Sequence, residues 1–123
     1  MERRAQKHHR ERLSETIREE IQTILEGELA DPRIGLVSVS AVQIAEDSRT
    51  ARIAVNVQGD DDEAERTLEG LEAARNFIRH ELAERLRLRR PPELLFHLDR
   101  SLQLENRVEE LLDRAKKRQK KSS

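Results

Sequence analysis

The sequence predicts an α+β domain, with helices laid on one face of a small three-stranded mixed sheet. Three observations carry that prediction. Leu13, Ile17, Ile21, Ile24, Leu25 and Leu29 recur at helical spacing near the start of the chain. Ala51, Ile53, Val55 and Val57 then alternate with Arg52, Ala54, Asn56 and Gln58, the period of a half-buried strand. A long second helical stretch separates that strand from the short apolar segment Glu93 to Leu98, and so carries the chain back across the sheet to add a third member.

In chain order, the first helix buries a single stripe, because Glu, Arg, Gln and Thr fill the positions between its apolar residues. Gly27 weakens its last turn by about 1 kcal/mol relative to alanine, and Asp31-Pro32 ends it, since a residue before proline is pushed from helical angles. Leu36 to Ile44 and Ala51 to Gln58 form an antiparallel hairpin turned by Glu46, Asp47 and Ser48. The first of these strands alternates less cleanly, which suits a bulge. Asp60-Asp61-Asp62 opens a second helix, with Asp62 as N-cap and Glu65 as its capping-box partner. Ala64, Leu68 and Leu71 face inward there. Around Ala73 to Asn76 the apolar stripe shifts, and Phe77, Ile78, Leu82 and Leu86 define a new face, which predicts a bent helix or two helices at an angle. Pro91-Pro92 stops that element. Ser101 starts a last helix with Leu104, Val108, Leu111, Leu112 and Ala115 on one side. The expected order is α-β-β-α-α-β-α, a single domain over 1–115 followed by a disordered basic tail, 116–123.

At 123 residues the chain suffices for one modest core, and with two Phe and no Trp or Tyr that core is aliphatic. Cysteine is absent, which removes disulfides and thiolate metal sites and suits a reducing cytoplasm. No apolar run reaches the roughly 18 residues of a membrane span, and the basic start MERRAQKHHRER lacks the apolar core of a signal peptide. The formal net charge of −1 conceals segregation. Asp60 to Glu72 carries seven acids against one arginine, whereas Arg75 to Arg90 carries six arginines against two glutamates. Arg114 to Lys121 carries six basic residues and no acid.

Arg75, Arg79, Arg85, Arg87, Arg89 and Arg90 are therefore candidate phosphate contacts, guanidinium forks being suited to gripping phosphate oxygens. The alternative is a solvated helix face with Glu81 and Glu84 as local partners. Lys116 and Lys117 in the tail are further candidates; four tail contacts to single-stranded RNA would steepen the log–log salt slope by roughly three. A GxxG backbone clamp is missing, because the glycines sit at 27, 35, 59 and 70, and stacking aromatics are scarce. Recognition of RNA shape and backbone is favoured over base-by-base readout. His8-His9, His80 and His97 have no partners at metal-ligand spacing, and Ser38, Ser40 and Ser101 have no nucleophile context, so neither a catalytic nor a metal site is read.

Arg12-Leu13, Asp31-Pro32-Arg33-Ile34-Gly35, Phe77-Ile78-Arg79, Leu86-Arg87-Leu88-Arg89, Pro92-Glu93-Leu94, Phe96, and Asp99 with Ser101 together resemble the ribosome-binding factor A family over roughly residues 10 to 113. The resemblance implies a type II KH-like domain, α-β-β-α-kink-α-β-α, in which an Ala-x-Gly kink replaces the GxxG loop. Ala74, Arg75 and Asn76 match that kink, with asparagine where the family usually has glycine; Glu105 likewise replaces a frequent glycine. It further implies a cytoplasmic, monomeric, non-enzymatic protein with no cofactor, no small-molecule substrate and no membrane. Its partner would be the immature small ribosomal subunit and its ribosomal RNA near the neck, with help to 5′ end processing, notably at low temperature. A general KH-like nucleic-acid binder without a ribosomal role is the alternative from the residues alone.

Overall fold

The computed structural model of the chain describes residues 3–27, 29 and 31–121. Its elements are α1 (Arg4–Gly27), β1 (Val37–Ile44), β2 (Thr50–Val57), α2 (Asp61–Leu86), β3 (Glu93–Leu98) and α3 (Ser101–Lys121). The strands form one sheet in the order β1-β2-β3, antiparallel between β1 and β2 and parallel between β2 and β3. This is the mixed three-stranded sheet that the alternation and the returning helix imply. Ile17, Ile21, Ile24 and Leu25 of α1 and Ala64, Leu71, Ile78 and Leu82 of α2 pack on Ile53, Val55, Leu94 and Phe96 of the sheet. On the opposite sheet face Arg52 is exposed between its register partners Gln43 and Leu95, which are exposed too.

The hairpin closes through Ser48, which adopts left-handed angles (φ 59°), while the Asp47 carboxylate accepts from Arg49 N–H at 3.0 Å. The irregular alternation of β1 has a local cause: the register slips between Val39 and Ala41, so Ser40 is the extra residue of a bulge. Gln22 of α1 accepts from Val39 N–H at 2.7 Å and fixes the helix at that irregularity.

The Asp31–Gly35 segment is folded on itself and then docked. Asp31 accepts from Arg33 N–H at 2.9 Å, and its carboxylate also holds the Arg33 guanidinium at 2.8 and 3.1 Å. The guanidinium, followed by that amide bond, pulls Asp31 below the ordinary carboxylate range. Thr67 of α2, only 1% exposed, accepts from Gly35 N–H and donates to Arg33 O, so its buried hydroxyl is fully satisfied. A Cβ added at Gly70 would lie 2.7 Å from Ile34 Cγ1. Gly70 is therefore the flat spot on α2 against which this loop closes, and not merely a weak point in a helix.

Three sequence expectations change. The N-cap of α2 is Asp60, whose Oδ1 accepts from Glu63 N–H at 2.8 Å; Asp62 lies inside the helix. All three aspartates are competent caps, and Gly59, at φ 122°, turns the chain so that Asp60 is the first to meet the helix in extended conformation. Second, of the two arrangements expected around Ala73 to Asn76, two separate helices are not formed: α2 is one continuous helix of 26 residues, and Asn76 has no left-handed angles. Ala64, Leu71 and Ile78 repeat every seven residues and need only one helix face. The shift in the stripe arises from counting Phe77 as inward, whereas it is 41% exposed. Third, residues 116–121 of the expected tail continue α3 as helix, while Ser122 and Ser123 lie outside the described residues. Lysine, arginine, glutamine and alanine are good helix formers, and cations suit a helix C-terminus.

Among the described residues helix α3 makes no extended packing contact with the rest of the fold, and Leu104, Val108, Leu111 and Leu112 are all exposed. Its start is nonetheless fixed. Asp99 Oδ1 accepts from Ser101 N–H at 2.9 Å and from the Ser101 hydroxyl, and Oδ2 accepts from the bulge residue Ser40 at 2.7 Å. These bonds, led by the Ser101 hydroxyl and amide, lower the Asp99 pKa to about 2.

Candidate nucleic-acid interface

The six arginines between 75 and 90 do not form one surface. Arg75 is half-buried, with Nη1 3.3 Å from Glu72 Oε2 on the preceding turn. Arg85 ties α2 to α1, its guanidinium lying 3.6 Å from Glu20 and 3.7 Å from Glu81. Arg79 points along α2 to the proline turn, donating from Nε to Pro92 O at 3.1 Å and from Nη2 to Pro91 O at 2.8 Å. The bland alternative, arginines neutralised by local glutamates, holds for Arg75 and Arg85, although the partners are Glu72, Glu81 and Glu20.

Arg87, Arg89 and Arg90 differ. All three are exposed, and among the described residues none forms an ion pair or a side-chain hydrogen bond. They sit on the turn that joins α2 to β3. Arg87 ends the helix in the left-handed conformation (φ 53°, ψ 45°), with Leu88 N–H donating to Ala83 O at 2.9 Å. Glycine is the usual occupant of such a cap because it has no Cβ to clash. An arginine held there projects a cation from a position where the backbone would prefer no side chain, and strain of that kind concentrates at functional sites. The turn thus carries a solvent-facing rim of three guanidinium groups able to take phosphate oxygens in bidentate fashion.

Lys116 and Lys117 are exposed on α3 but are not brought to this rim by any packing of α3. The turn enters β3 at Glu93 and α3 leaves beyond Leu98, so the two basic regions depart from opposite ends of a strand about 20 Å long. Beside the rim, Arg75, Asn76 and Arg79 of α2 and Glu93 and Leu94 of β3 line a hollow of about 150 Å³. Of the residues read as a kink, Arg75 and Asn76 line that hollow, Asn76 being exposed, while Ala74 is half-buried against the core. A wider hollow, about 720 Å³, lies between the start of α1 and the hairpin turn and shares no residue with the rim. Among the described residues no group of three His, Asp or Glu is placed to hold a metal ion, and no helix is long and apolar enough to cross a membrane.

Sequence reading did not nominate Arg52, although period-two alternation already turned it to the face opposite the helices. The use of Arg79 on two backbone carbonyls carries no sequence signal, because it depends on where β3 begins in space.

Residues 9–112 match the family described as ribosome-binding factor A. A curated relative of that name from Koribacter versatilis (strain Ellin345) is 62% identical over 122 residues, covering 99% of both chains. The chain belongs to the ribosome-binding factor A family. Another member, from Halothermothrix orenii, is 43% identical over 105 residues, 85% of this chain and 86% of its own. Among solved structures, the crystal structure of ribosome-binding factor A from Thermus thermophilus superposes with a TM-score of 0.67 at 27% identity, over 75% of this chain and 97% of its own. A homology model of the Thermus thermophilus factor, as fitted into an electron-microscopy map of a 30S complex, superposes at 0.62, with 27% identity over 74% of this chain and 96% of that one. The fold is thus the KH-like α+β arrangement of this family. The chain's Asp31-Pro32-Arg33-Ile34-Gly35 stretch has a physical role here, since it is the segment that Thr67 and Gly70 receive.

Proposed function

We propose that the chain binds the small ribosomal subunit during maturation, gripping ribosomal RNA phosphates with Arg87, Arg89 and Arg90. The single observation that supports this is the rim itself: three exposed arginines without internal partners among the described residues, on one turn, in a family whose Thermus thermophilus member has been fitted as a homology model into the map of a 30S complex. No covalent step is required. A protein that binds one RNA arrangement better than its competitors shifts the population toward that arrangement, and so assists late assembly and 5′ end processing. On this reading the protein is a cytoplasmic monomer, non-enzymatic, with no cofactor and no small-molecule substrate.

The test is co-sedimentation with immature small subunits across a salt series. Replacing Arg87, Arg89 and Arg90 with glutamine should weaken binding at every salt concentration and flatten the log–log slope by about 2–3, at roughly 0.7–0.9 per phosphate contact. Arg75→Gln with Arg85→Gln should leave the slope within about 1 of the parent. An unchanged slope in the triple variant would sink the assignment. A second reading, a general nucleic-acid binder, draws on the six basic residues from Arg114 to Lys121 at the free end of α3. Near-total loss of binding on deleting 116–123, with the rim intact, would favour it.

A further inference from the structure

We infer that Arg79 is a positioning residue for the rim, holding the turn in shape rather than itself gripping phosphate; the inference rests on the rim reading above. Between the left-handed cap at Arg87 and the first strand bond at Glu93, the turn has little of its own to hold it. Pro91 and Pro92 have no N–H to donate, and among the described residues neither Arg89 nor Arg90 donates a backbone hydrogen bond. The ends are fixed by Leu88 N–H on Ala83 O and by Glu93 N–H on Arg49 O. The middle is fixed by one side chain. Arg79 reaches from α2 and places Nε and Nη2 on the successive carbonyls Pro92 O and Pro91 O, at 3.1 and 2.8 Å. A guanidinium has the planar fork to satisfy two neighbouring carbonyls from fixed directions, whereas an ammonium is a point charge on a flexible stem. The partners are carbonyls and not carboxylates, so the charge of Arg79 is not cancelled and adds to the field of the rim while its geometry is committed to the backbone.

Loss of the fork frees Arg89 and Arg90 to sample several conformations, and binding must then order them. Ordering one or two backbone residues corresponds to roughly a fivefold to thirtyfold weaker association. The β3 strand keeps its own anchors, since Leu94 is fully buried and Glu93 stays bonded to Arg49 O, so the variant retains the fold.

The experiment compares the full chain with Arg79→Ala and Arg79→Lys, measuring backbone order parameters of Arg89 and Arg90 in the free protein and affinity for the small subunit. The expected result is a drop in both variants from the rigid range near 0.85 toward about 0.6, with weakened binding in both. Lysine retains the charge but not the fork, so it separates the two roles. Order parameters unchanged in either variant, or wild-type binding by Arg79→Lys alongside weak binding by Arg79→Ala, would overturn positioning in favour of a plain charge contact. Wild-type binding by both would overturn it also. The Arg87, Arg89 and Arg90 glutamine triple answers separately: if it binds like the parent the rim reading fails, while the order parameters still decide whether Arg79 shapes the turn.

Discussion

Gly70→Ala offers a test of how the Asp31–Gly35 loop is seated. Alanine in a helix interior is worth about 1 kcal/mol over glycine, so propensity alone makes the change stabilising. The packing opposes it. The new Cβ would stand 2.7 Å from Ile34 Cγ1, 3.3 Å from Arg33 Cβ and 3.4 Å from Ile34 Cδ1, against a comfortable carbon–carbon separation of about 3.5–4.0 Å. Ile34 must withdraw by about 1 Å, yet its neighbours are tied down, Gly35 N–H and Arg33 O by Thr67 and Arg33 N–H by Asp31. Overpacking of this kind costs about 1–3 kcal/mol, so the net is a loss of about 1 kcal/mol and a melting temperature lower by about 3–5 °C. Gly27→Ala is the control. Nothing lies within 4 Å of its Cβ position and its angles are not left-handed, so it should gain a few tenths of a kcal/mol. Thermal unfolding of both variants, and of Gly70→Ala in an Ile34→Ala background, completes the cycle. Removing Ile34 should turn the Gly70 substitution from a loss into a gain. Stabilisation by Gly70→Ala alone, as large as at Gly27, would refute the close seating of the loop.

Two further perturbations report on the rim and on the root of α3. Arg87→Gly should raise stability by about 1 kcal/mol by relieving the left-handed cap, while weakening small-subunit binding; a variant that loses binding without gaining denaturant resistance would show that the cap carries no strain. Asp99 has a folded pKa of about 2 against an ordinary value of 3.8. A depressed carboxylate pKa adds stability that is present in full above pH 4 and disappears as pH falls through 2. That shift corresponds to at most about 2.5 kcal/mol, and to about 1 kcal/mol once solvent screening is allowed for. Asp99→Asn should therefore unfold more readily than the parent at pH 6 and match it near pH 2 in denaturant titrations. A difference of equal size at both pH values would mean that the Ser40 and Ser101 bonds do not depend on the charge.

Much of the fold is legible in the chain because its periodicities are local. The α1 stripe and the β2 alternation each read out one buried face, and Pro91-Pro92 and Asp31-Pro32 stop their helices for steric reasons that need no tertiary context. The misreadings share a different origin. Phe77 is apolar but solvent-facing, and one such residue is enough to rotate the inferred face of α2 and suggest two separate helices where there is one continuous helix. Asp60, Asp61 and Asp62 are chemically equal caps, and only the backbone turn at Gly59 selects among them. At the candidate site the arginine count was legible but its division was not. Whether Arg85 faces Glu20, or Arg79 the proline carbonyls, depends on helix α1 and strand β3, which are distant in sequence.

That division also resolves how a chain of net charge −1 can meet a polyanion. Helix α2 is 26 residues, about 39 Å long, and its charge is graded along that length. Seven acids against one arginine lie from Asp60 to Glu72, where they complement the positive helix end, and the rim follows the negative end. Glu72 and Arg87 are fifteen residues apart, about 22 Å along the axis, which is more than two Debye lengths at physiological salt. The acidic end therefore does not neutralise the field at the rim. On the proposed reading it does something more useful, since RNA phosphates attract one end of α2 and repel the other. The helix then presents the Arg87–Arg90 turn first and fixes the orientation of the domain before any base is read.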